Sequence, residues 1–500
     1  MNYTIRNLIN NNKDENIAIT SEDNNIIKYS DLKKLIFNIS GQLAGQGIMP
    51  SNRAAIVLPN GPEMATAFLS ISSYMSAAPL NPSYKLKEYE FYLQDLMPKI
   101  VIVEKDSQNP AVEAAKNLGI EICEIKKIDN APAGIFNLYD RTANFELATE
   151  NNEALVLHTS GTTSRPKVVP LTNKNIFSSA INISNSLQLS SQDHCYNIMP
   201  LFHIHGLIAV LSSSINAGAS VYASSGFNAL KFLETANKES ITWYSGVPTM
   251  HQAILMRAKK NPKLAEELSL RFIRSSSASL PPAVFDELKK IFKTTVIEAY
   301  GMTEATHQMT SNPMPPEKQK AGFVGKPAGP EVCIMDAQGN KLDTGVDGEV
   351  CIRGNNVTNG YENNEEANKT AFINGWFRTG DQGHFDDEGY LKISGRLKEI
   401  INRGGEKVSP LEVDNILMEH EAVEQVVTFA VKDNLLGEAI GVAIVLKSGI
   451  ECNEIDIKNY ASKHLADFKI PKYIRFLEEI PKGATGKLQR IGLAEKLGLE

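Results

Sequence analysis

Along the first three hundred residues, short unbroken apolar runs alternate with longer stretches in which apolar positions recur at a helical period. AAIVLP (54–59), KIVIVE (99–104), ALVLHTS (154–160), ASVYA (219–223), ITWYSG (241–246), RFIRSSS (271–277) and TVIEAYG (295–301) read as buried strands. PAVFDELKKIF at 282–292 reads as one of the amphipathic helices between them. This alternation predicts parallel sheets covered by helices on both faces. From about residue 320 the texture changes to EVCIMD, GEVCIRG, GWFRTGD and GYLKISG, short pieces set off by Gly, Asp and Asn turns, which predict a small antiparallel barrel or sheet. A third texture begins near Arg396: a helix PLEVDNILMEH with proline at its start, strands EQVVTFAVKD and AIGVAIVLK, and a helix IDIKNYASKHL. The expected fold is therefore α/β. A large N-terminal domain over 1–395, with parallel sheets, flanking helices and a β-barrel subdomain at about 320–395, precedes a small α+β C-terminal domain over 396–500.

A chain of 500 residues is too long for one small module. Its 51 Lys and Arg against 58 Asp and Glu leave a net charge of −7, and no basic run is present. A broad nucleic-acid surface is thereby excluded, and an anionic ligand must be gathered by a local cationic site. The five cysteines form no C-x-x-C pair, which argues against a zinc ribbon or disulfide scaffold and fits a reducing compartment. The opening MNYTIRNLINNNKDEN lacks the apolar core of a signal peptide, and the closing LGLE is no peroxisomal tripeptide. The weakly apolar stretch from Leu201 to Ala223 is broken by two histidines, an Asn and several serines, so it does not read as a membrane span. A cytoplasmic protein is expected, and monomer and homodimer both stay open.

The strongest local chemistry is Thr159-Ser160-Gly161-Thr162-Thr163-Ser164-Arg165-Pro166-Lys167, after a predicted strand and before a helix. Hydroxyls and free backbone N–H groups at such a turn can cradle phosphate oxygens, and Lys167 adds a point charge. The run is not a Walker A loop, since G-x-x-x-x-G-K-[ST] is absent.

This loop resembles the phosphate-binding signature of the AMP-forming acyl- and aryl-CoA ligase superfamily. Pro200-Leu201-Phe202-His203, Tyr300-Gly301-Met302-Thr303-Glu304, Arg378-Thr379-Gly380-Asp381, Gly395-Arg396-Leu397-Lys398-Glu399 and Pro481-Lys482-Gly483-Ala484-Thr485-Gly486-Lys487 follow in the superfamily's order, so the resemblance runs from about residue 20 to 495. One departure is Ser164, where the family usually has Gly.

The resemblance implies ATP, Mg²⁺ and coenzyme A as co-substrates and a carboxylic acid as the group activated. Adenylation brings a carboxylate against the α-phosphate, and two unit charges 4 Å apart repel by about 4 kcal/mol at an effective dielectric near 20. Lys487 looks like the family's catalytic lysine, bridging carboxylate and α-phosphate oxygens. Glu304 looks like the Mg²⁺ ligand and Thr303 an α-phosphate contact. Thr159, Ser160, Gly161, Thr162, Thr163 and Lys167 would hold the phosphates. Asp381 and Arg396 would take the ribose. The adenine would lie between Ser276-Ser277-Ala278 and Glu298-Ala299-Tyr300, with Tyr300 stacking on it and Gly301 and Met302 completing the wall. Lys398 sits at the family's hinge position, which implies that the C-terminal domain over 396–500 is mobile and pivots between half-reactions. Gly404 and Gly405 would let backbone approach the pantetheine tunnel. His203 would shield the acyl tunnel and change rotamer between half-reactions.

The acid is set by the acyl pocket. Where the hydroxycinnamate branch tends to be aromatic or apolar, this chain has His205 and, after Met-Thr-Glu-Ala, Thr306, His307 and Gln308. Unpaired, such groups cost about 1–3 kcal/mol each, and a second carboxylate on the substrate would satisfy them. HTSGTTSRPKVVPLT (158–172) and MTEATHQMTSNP (302–313) look closer still to the oxalate–CoA ligase branch known in plants and fungi. Oxalate or another short dicarboxylate is therefore expected, with His205, His307 and Ser275 at its distal end. An aryl or medium-chain fatty acid remains the alternative, as does an adenylation enzyme that loads a separate carrier protein.

Overall fold

The computed structural model describes residues 3–22, 25–159, 166–483 and 487–499. Among them, a nine-stranded and a six-stranded sheet, both mainly parallel, build the first three hundred residues. In the six-stranded sheet Arg53–Val57 pairs in parallel with Ser76–Pro79 and Ile100–Val103, and Glu153–His158 turns back antiparallel on Val168–Thr172. In the nine-stranded sheet His194–Asn197, Trp243–Gly246, Phe272–Ser275 and Thr295–Met302 run parallel and side by side. Ile100–Val103 and Trp243–Gly246 are buried at every position, which is why their sequences show no alternation. The helix Pro282–Phe292 begins on proline, buries Val284, Phe285, Leu288 and Phe292 on one face, and ends at Lys293 in the left-handed region.

The apolar stretch after Leu201 is a core element. His205–Ser212 forms a π-helix whose residues are all buried, continued by Ser213–Asn216. Its serines stay dry because they hydrogen-bond backwards: Ser212 Oγ donates to the Leu207 carbonyl at 2.8 Å and Ser214 Oγ to that of Val210 at 2.7 Å. A Cβ on Gly206 would come within 2.3 Å of the Pro200 carbonyl oxygen, so this turn admits only glycine there. Among the described residues no helix is long and apolar enough to cross a membrane.

Beyond residue 320 the texture becomes a five-stranded antiparallel sheet. Trp376–Phe385, longer than GWFRTGD suggests, pairs with Gly348–Arg353 on one side and Leu391–Arg396 on the other. That register sets Asp381 opposite Arg396. A last five-stranded sheet over residues 401–476 carries the helices Pro410–Met418 and Glu454–His464 and has its own core around Val413, Ile440, Val442 and Ile457.

Candidate active site

The carboxyl end of Thr295–Met302 is linked to the hairpin Glu153–His158/Val168–Thr172 through Thr358, whose N–H donates to the Glu304 carbonyl at 2.8 Å and whose hydroxyl donates to that of Pro170 at 3.0 Å. Crevices at such strand ends are where open α/β sheets take ligands. Ser160, Gly161, Thr162 and Thr163 lie outside the described residues. The loop's two feet are described and pinned together. The Thr159 N–H donates to the Lys167 carbonyl at 2.9 Å, and the Lys167 N–H to Thr159 Oγ1 at 3.2 Å. Lys167 Nζ stands 4.2 Å over the Tyr361 ring, and the Tyr361 hydroxyl donates to Glu304 Oε1 at 2.8 Å. One tyrosine thus spans the expected phosphate lysine and the expected metal carboxylate. Burial holds the Lys167 ammonium below the usual lysine range, with the Glu304 charge opposing the shift and Lys398 adding to it. Burial likewise pushes Glu304 above the usual carboxylate range, against the Tyr361 hydrogen bond and the charges of Arg396 and Lys167. Among the described residues no three His, Cys, Asp or Glu gather around one point. A metal here would rest on Glu304 and on oxygens of a bound phosphate, which is the donor set that suits Mg²⁺.

Asp381 joins the small antiparallel sheet to the nine-stranded one. Arg396 Nε donates to its Oδ1 at 3.1 Å, and the Tyr300 hydroxyl donates to its Oδ2. Its backbone N–H is held by Thr379 Oγ1 at 3.1 Å. Gly301 follows Tyr300 at a point where a Cβ would lie 2.0 Å from the His307 carbonyl oxygen and 3.1 Å from His307 Nδ1, which presses His307 against this strand. Ser276 Oγ donates to the Ala299 carbonyl at 2.8 Å. Glu298 Oε1 accepts from the Leu280 N–H at 2.9 Å. Both side chains are buried and hold the turn, whereas Ala278, Tyr300, Met302 and Thr303, the other residues expected at the nucleotide, are half-buried.

At the inner end lies a buried polar cluster. His205 Nδ1 is 3.0 Å from Ser277 Oγ and its Nε2 is 2.6 Å from Ser245 Oγ. The His307 ring sits 4.9 Å from that of His205, centroid to centroid, and neither of its nitrogens has a hydrogen-bond partner among the described residues. Ser275 Oγ is buried and unpaired in the same way. Arg274, fully buried, donates from Nη2 to Gln308 Oε1 at 3.2 Å and from Nη1 to Ser245 Oγ at 3.3 Å, and its Nε has no partner among the described residues. Burial lowers its guanidinium to about 9, so it stays charged at neutral pH. Burial first, with the charge of Arg274 also acting on each, holds His205 and His307 well below the usual imidazole range, so both are neutral. His203, half-buried nearby, receives the His205 N–H on Nδ1 at 3.2 Å and is brought down to about 4 by burial and then by Lys487.

Lys487, on the C-terminal side, lies within electrostatic reach of Arg396, Glu399, Asp381 and His203. It keeps solvent access along its side chain, yet crowding there holds its ammonium below the usual range, through desolvation first and Arg396 second. The Gly483 N–H donates to the Lys487 carbonyl at 2.8 Å, making a tight return. Lys398 is exposed. Gly404 and Gly405 are not brought to this cleft: both are exposed at φ +61° and +95°, and the Gly404 N–H donates to the Leu436 carbonyl at 2.8 Å.

Sequence reasoning missed Arg274, Ser245 and Tyr361. An arginine inside the apolar run RFIRSSS was the available signal for the first, because a strand buried on both faces takes a charge only for a reason. Ser245 and Tyr361 carried none.

The model for the AMP-binding enzyme family matches residues 7–362, and that for the AMP-binding enzyme C-terminal domain matches 412–487. An oxalate–CoA ligase of Arabidopsis thaliana is 45% identical over 474 residues, covering 93% of this chain and 92% of that protein. An oxalate–CoA ligase of Saccharomyces cerevisiae is 41% identical over 518 residues, covering 96% and 94%. Among solved structures, ATP-bound MatB from Rhodopseudomonas palustris superposes with a TM-score of 0.89 at 26% identity, covering 99% of each chain. The o-succinylbenzoate CoA synthetase of Bacillus subtilis, in complex with ATP and magnesium ion, superposes at 0.83 with 27% identity, covering 97% of this chain and 98% of that one. With more than half of its length matched by that family's model, the chain belongs to the AMP-binding enzymes.

Proposed function

We propose that the chain is an ATP-dependent acid–CoA ligase that converts oxalate, or another short dicarboxylate, to an acyl-adenylate and then to a CoA thioester, releasing pyrophosphate and AMP. The observation that carries the choice of acid is the buried cluster of Arg274, His205, His307 and Ser275, one charged donor set among neutral and unpaired polar groups. An alkyl chain or benzene ring there would leave the His307 nitrogens and Ser275 Oγ, which have no partner among the described residues, unsatisfied at about 1–3 kcal/mol apiece. A distal carboxylate supplies acceptors and one negative charge.

In this reading Asp381 and Arg396 orient the ribose, Thr159 and Lys167 steady the phosphates, and Lys487 offsets the repulsion between the incoming carboxylate and the α-phosphate. Mg²⁺ held by Glu304 supplies charge neutralisation on the phosphate oxygens. Neutral His203 lets the anionic acid pass without being trapped by a second cation. For thioester formation the segment 396–500 turns as a domain about Lys398, withdrawing Lys487 and bringing Gly404 and Gly405 to the cleft. Their exposed, side-chain-free hairpin supports that role. Cytoplasmic residence belongs to the same reading, supported by cysteines without a C-x-x-C pair.

The test is CoA-dependent AMP release with ATP and Mg²⁺, comparing oxalate, malonate, 4-coumarate and octanoate. A preference for oxalate of about a hundredfold in kcat/KM, worth about 2.7 kcal/mol, is expected. A preference for coumarate or octanoate would keep the ligase and overturn the diacid.

A further inference from the structure

Arg274 is the third residue of Phe272–Ser275, a strand buried at all four positions. It begins a chain of hydrogen bonds that ends at the cleft. Arg274 Nη1 donates to Ser245 Oγ at 3.3 Å and lies 3.5 Å from His205 Nε2. Ser245 Oγ is 2.6 Å from that same Nε2, and His205 Nδ1 is 3.0 Å from Ser277 Oγ. Arg274, Ser245 and His205 have no solvent exposure, whereas Ser277 is half-buried at φ 71°. Of the four, Ser277 is therefore the one a ligand can touch.

A guanidinium donates and never accepts. Ser245 Oγ accordingly accepts from Arg274, and because the same Nη1 also faces His205 Nε2 at 3.5 Å, the arrangement without opposed protons leaves Nε2 bare to accept the Ser245 proton. A neutral imidazole carries one proton, so an accepting Nε2 leaves that proton on Nδ1, where it is donated to Ser277 Oγ. Ser277, already accepting, has its hydroxyl proton left for the cleft. The His307 ring, 4.9 Å from that of His205, adds two buried nitrogens with no hydrogen-bond partner among the described residues.

We infer that Arg274 is a positioning residue that sets the direction of the relay Arg274–Ser245–His205–Ser277, so that Ser277 presents a donor and the site selects an acceptor-only carboxylate over an isosteric amide. The selection, though not the relay, rests on the acid–CoA ligase reading. Glutamine at 274 could accept the Ser245 proton and run the relay backwards. His205 would then carry its proton on Nε2, and Ser277 would donate inward and offer only lone pairs to the cleft. Lysine at 274, like arginine, can only donate.

The experiment joins ¹⁵N NMR of the histidine-labelled full chain, with His205→Gln to assign the signal, to kcat/KM for oxalate and for its monoamide oxamate. The wild type should show His205 protonated on Nδ1 and favour oxalate by about a hundredfold or more, as expected of a site built around a specific hydrogen bond. Arg274→Lys should keep both properties. Arg274→Gln should move the proton to Nε2 and cut the oxalate-to-oxamate ratio by about tenfold, the equivalent of one misdirected hydrogen bond, chiefly through KM. A wild-type His205 protonated on Nε2 overturns the relay, and so does an Arg274→Gln protein with unchanged tautomer and ratio. If Arg274→Gln does not fold, the wild-type tautomer and the Arg274→Lys ratio decide. The expected tautomers in a protein that activates neither oxalate nor oxamate would support the relay and overturn the functional reading.

Discussion

Arg490 donates from Nη1 to the Glu399 carboxylate at 2.9 Å, and through that pair the segment carrying Lys487 is tied to the turn that follows Arg396. The same guanidinium donates from Nη2 to Asp414 and from Nε to the Thr428 carbonyl at 2.6 Å. The Glu399 and Asp414 side chains are only 12% and 13% exposed. Arg490→Ala leaves two shielded carboxylates without their counterion, which costs about 3–5 kcal/mol. Urea unfolding should show that loss, and a cost below about 1 kcal/mol, the range of exposed pairs, would mean the network contributes little.

Lys487→Ala should separate the half-reactions. Removing one preorganised donor from the charge that develops at the α-phosphate costs about 10²–10³ in rate. ATP–pyrophosphate exchange should fall by that factor, while thioester formation from supplied acyl-adenylate changes far less. The ammonium is already held below the usual lysine range by desolvation and Arg396, so it loses its proton at a lower pH than a free lysine does. Adenylation should therefore decline on the alkaline side earlier than an unperturbed lysine would allow, and equal losses in both half-reactions would remove Lys487 from its assigned role.

Tyr361→Phe keeps the ring 4.2 Å beneath Lys167 and deletes the hydroxyl that donates to Glu304. Glu304 loses one of the groups that favour its ionised form. The Mg²⁺ concentration for half-maximal rate should rise by about three- to tenfold, which is about 0.7–1.4 kcal/mol for one hydrogen bond. Tyr361→Leu, which also removes the ring under Lys167, should in addition raise KM for ATP. An unchanged Mg²⁺ requirement in Tyr361→Phe would show that the hydroxyl does not tune Glu304.

The parallel strands were legible because burial on both faces demands unbroken apolar runs, and Ile100–Val103 lies within KIVIVE for that reason. The helix Pro282–Phe292 was legible to the residue, from its opening proline and its apolar spacing. The π-helix at His205–Ser212 was not, since serines that bond back to their own helix look the same in sequence as serines in a loop. At the site, motif order pointed to Asp381 and Arg396, and the strand register accounts for their meeting. Ser245 and Tyr361 stayed hidden because they reach the cleft through tertiary contacts 29 and 57 residues away in sequence, at Arg274 and Glu304, which no spacing rule connects. The histidines were legible as polar residues, but their neutrality depends on burial and on the charge of Arg274, which only the packing reveals.

Glu298 links the site to pH-dependent stability. Its Oε1 accepts from the Leu280 N–H at 2.9 Å, whereas Oε2 is buried with no partner among the described residues. Burial pushes its carboxyl up to about 8, against the N–H donors of Leu280 and Gly322. In the unfolded chain the same group titrates near 4.3. Between those values the native state binds the extra proton, so the stabilisation is fully present below the unfolded value and is lost as pH rises through the folded one. The slope from this group is at most about 1.4 kcal/mol per pH unit. Glu298→Gln fixes a neutral side chain that still accepts from Leu280, and it removes the titration. Urea unfolding across pH 5 to 9 should show the wild type losing stability relative to Glu298→Gln as pH rises, with the two closest at the acid end. Parallel curves would mean that Glu298 is ionised in the native protein and that a cation or water meets Oε2.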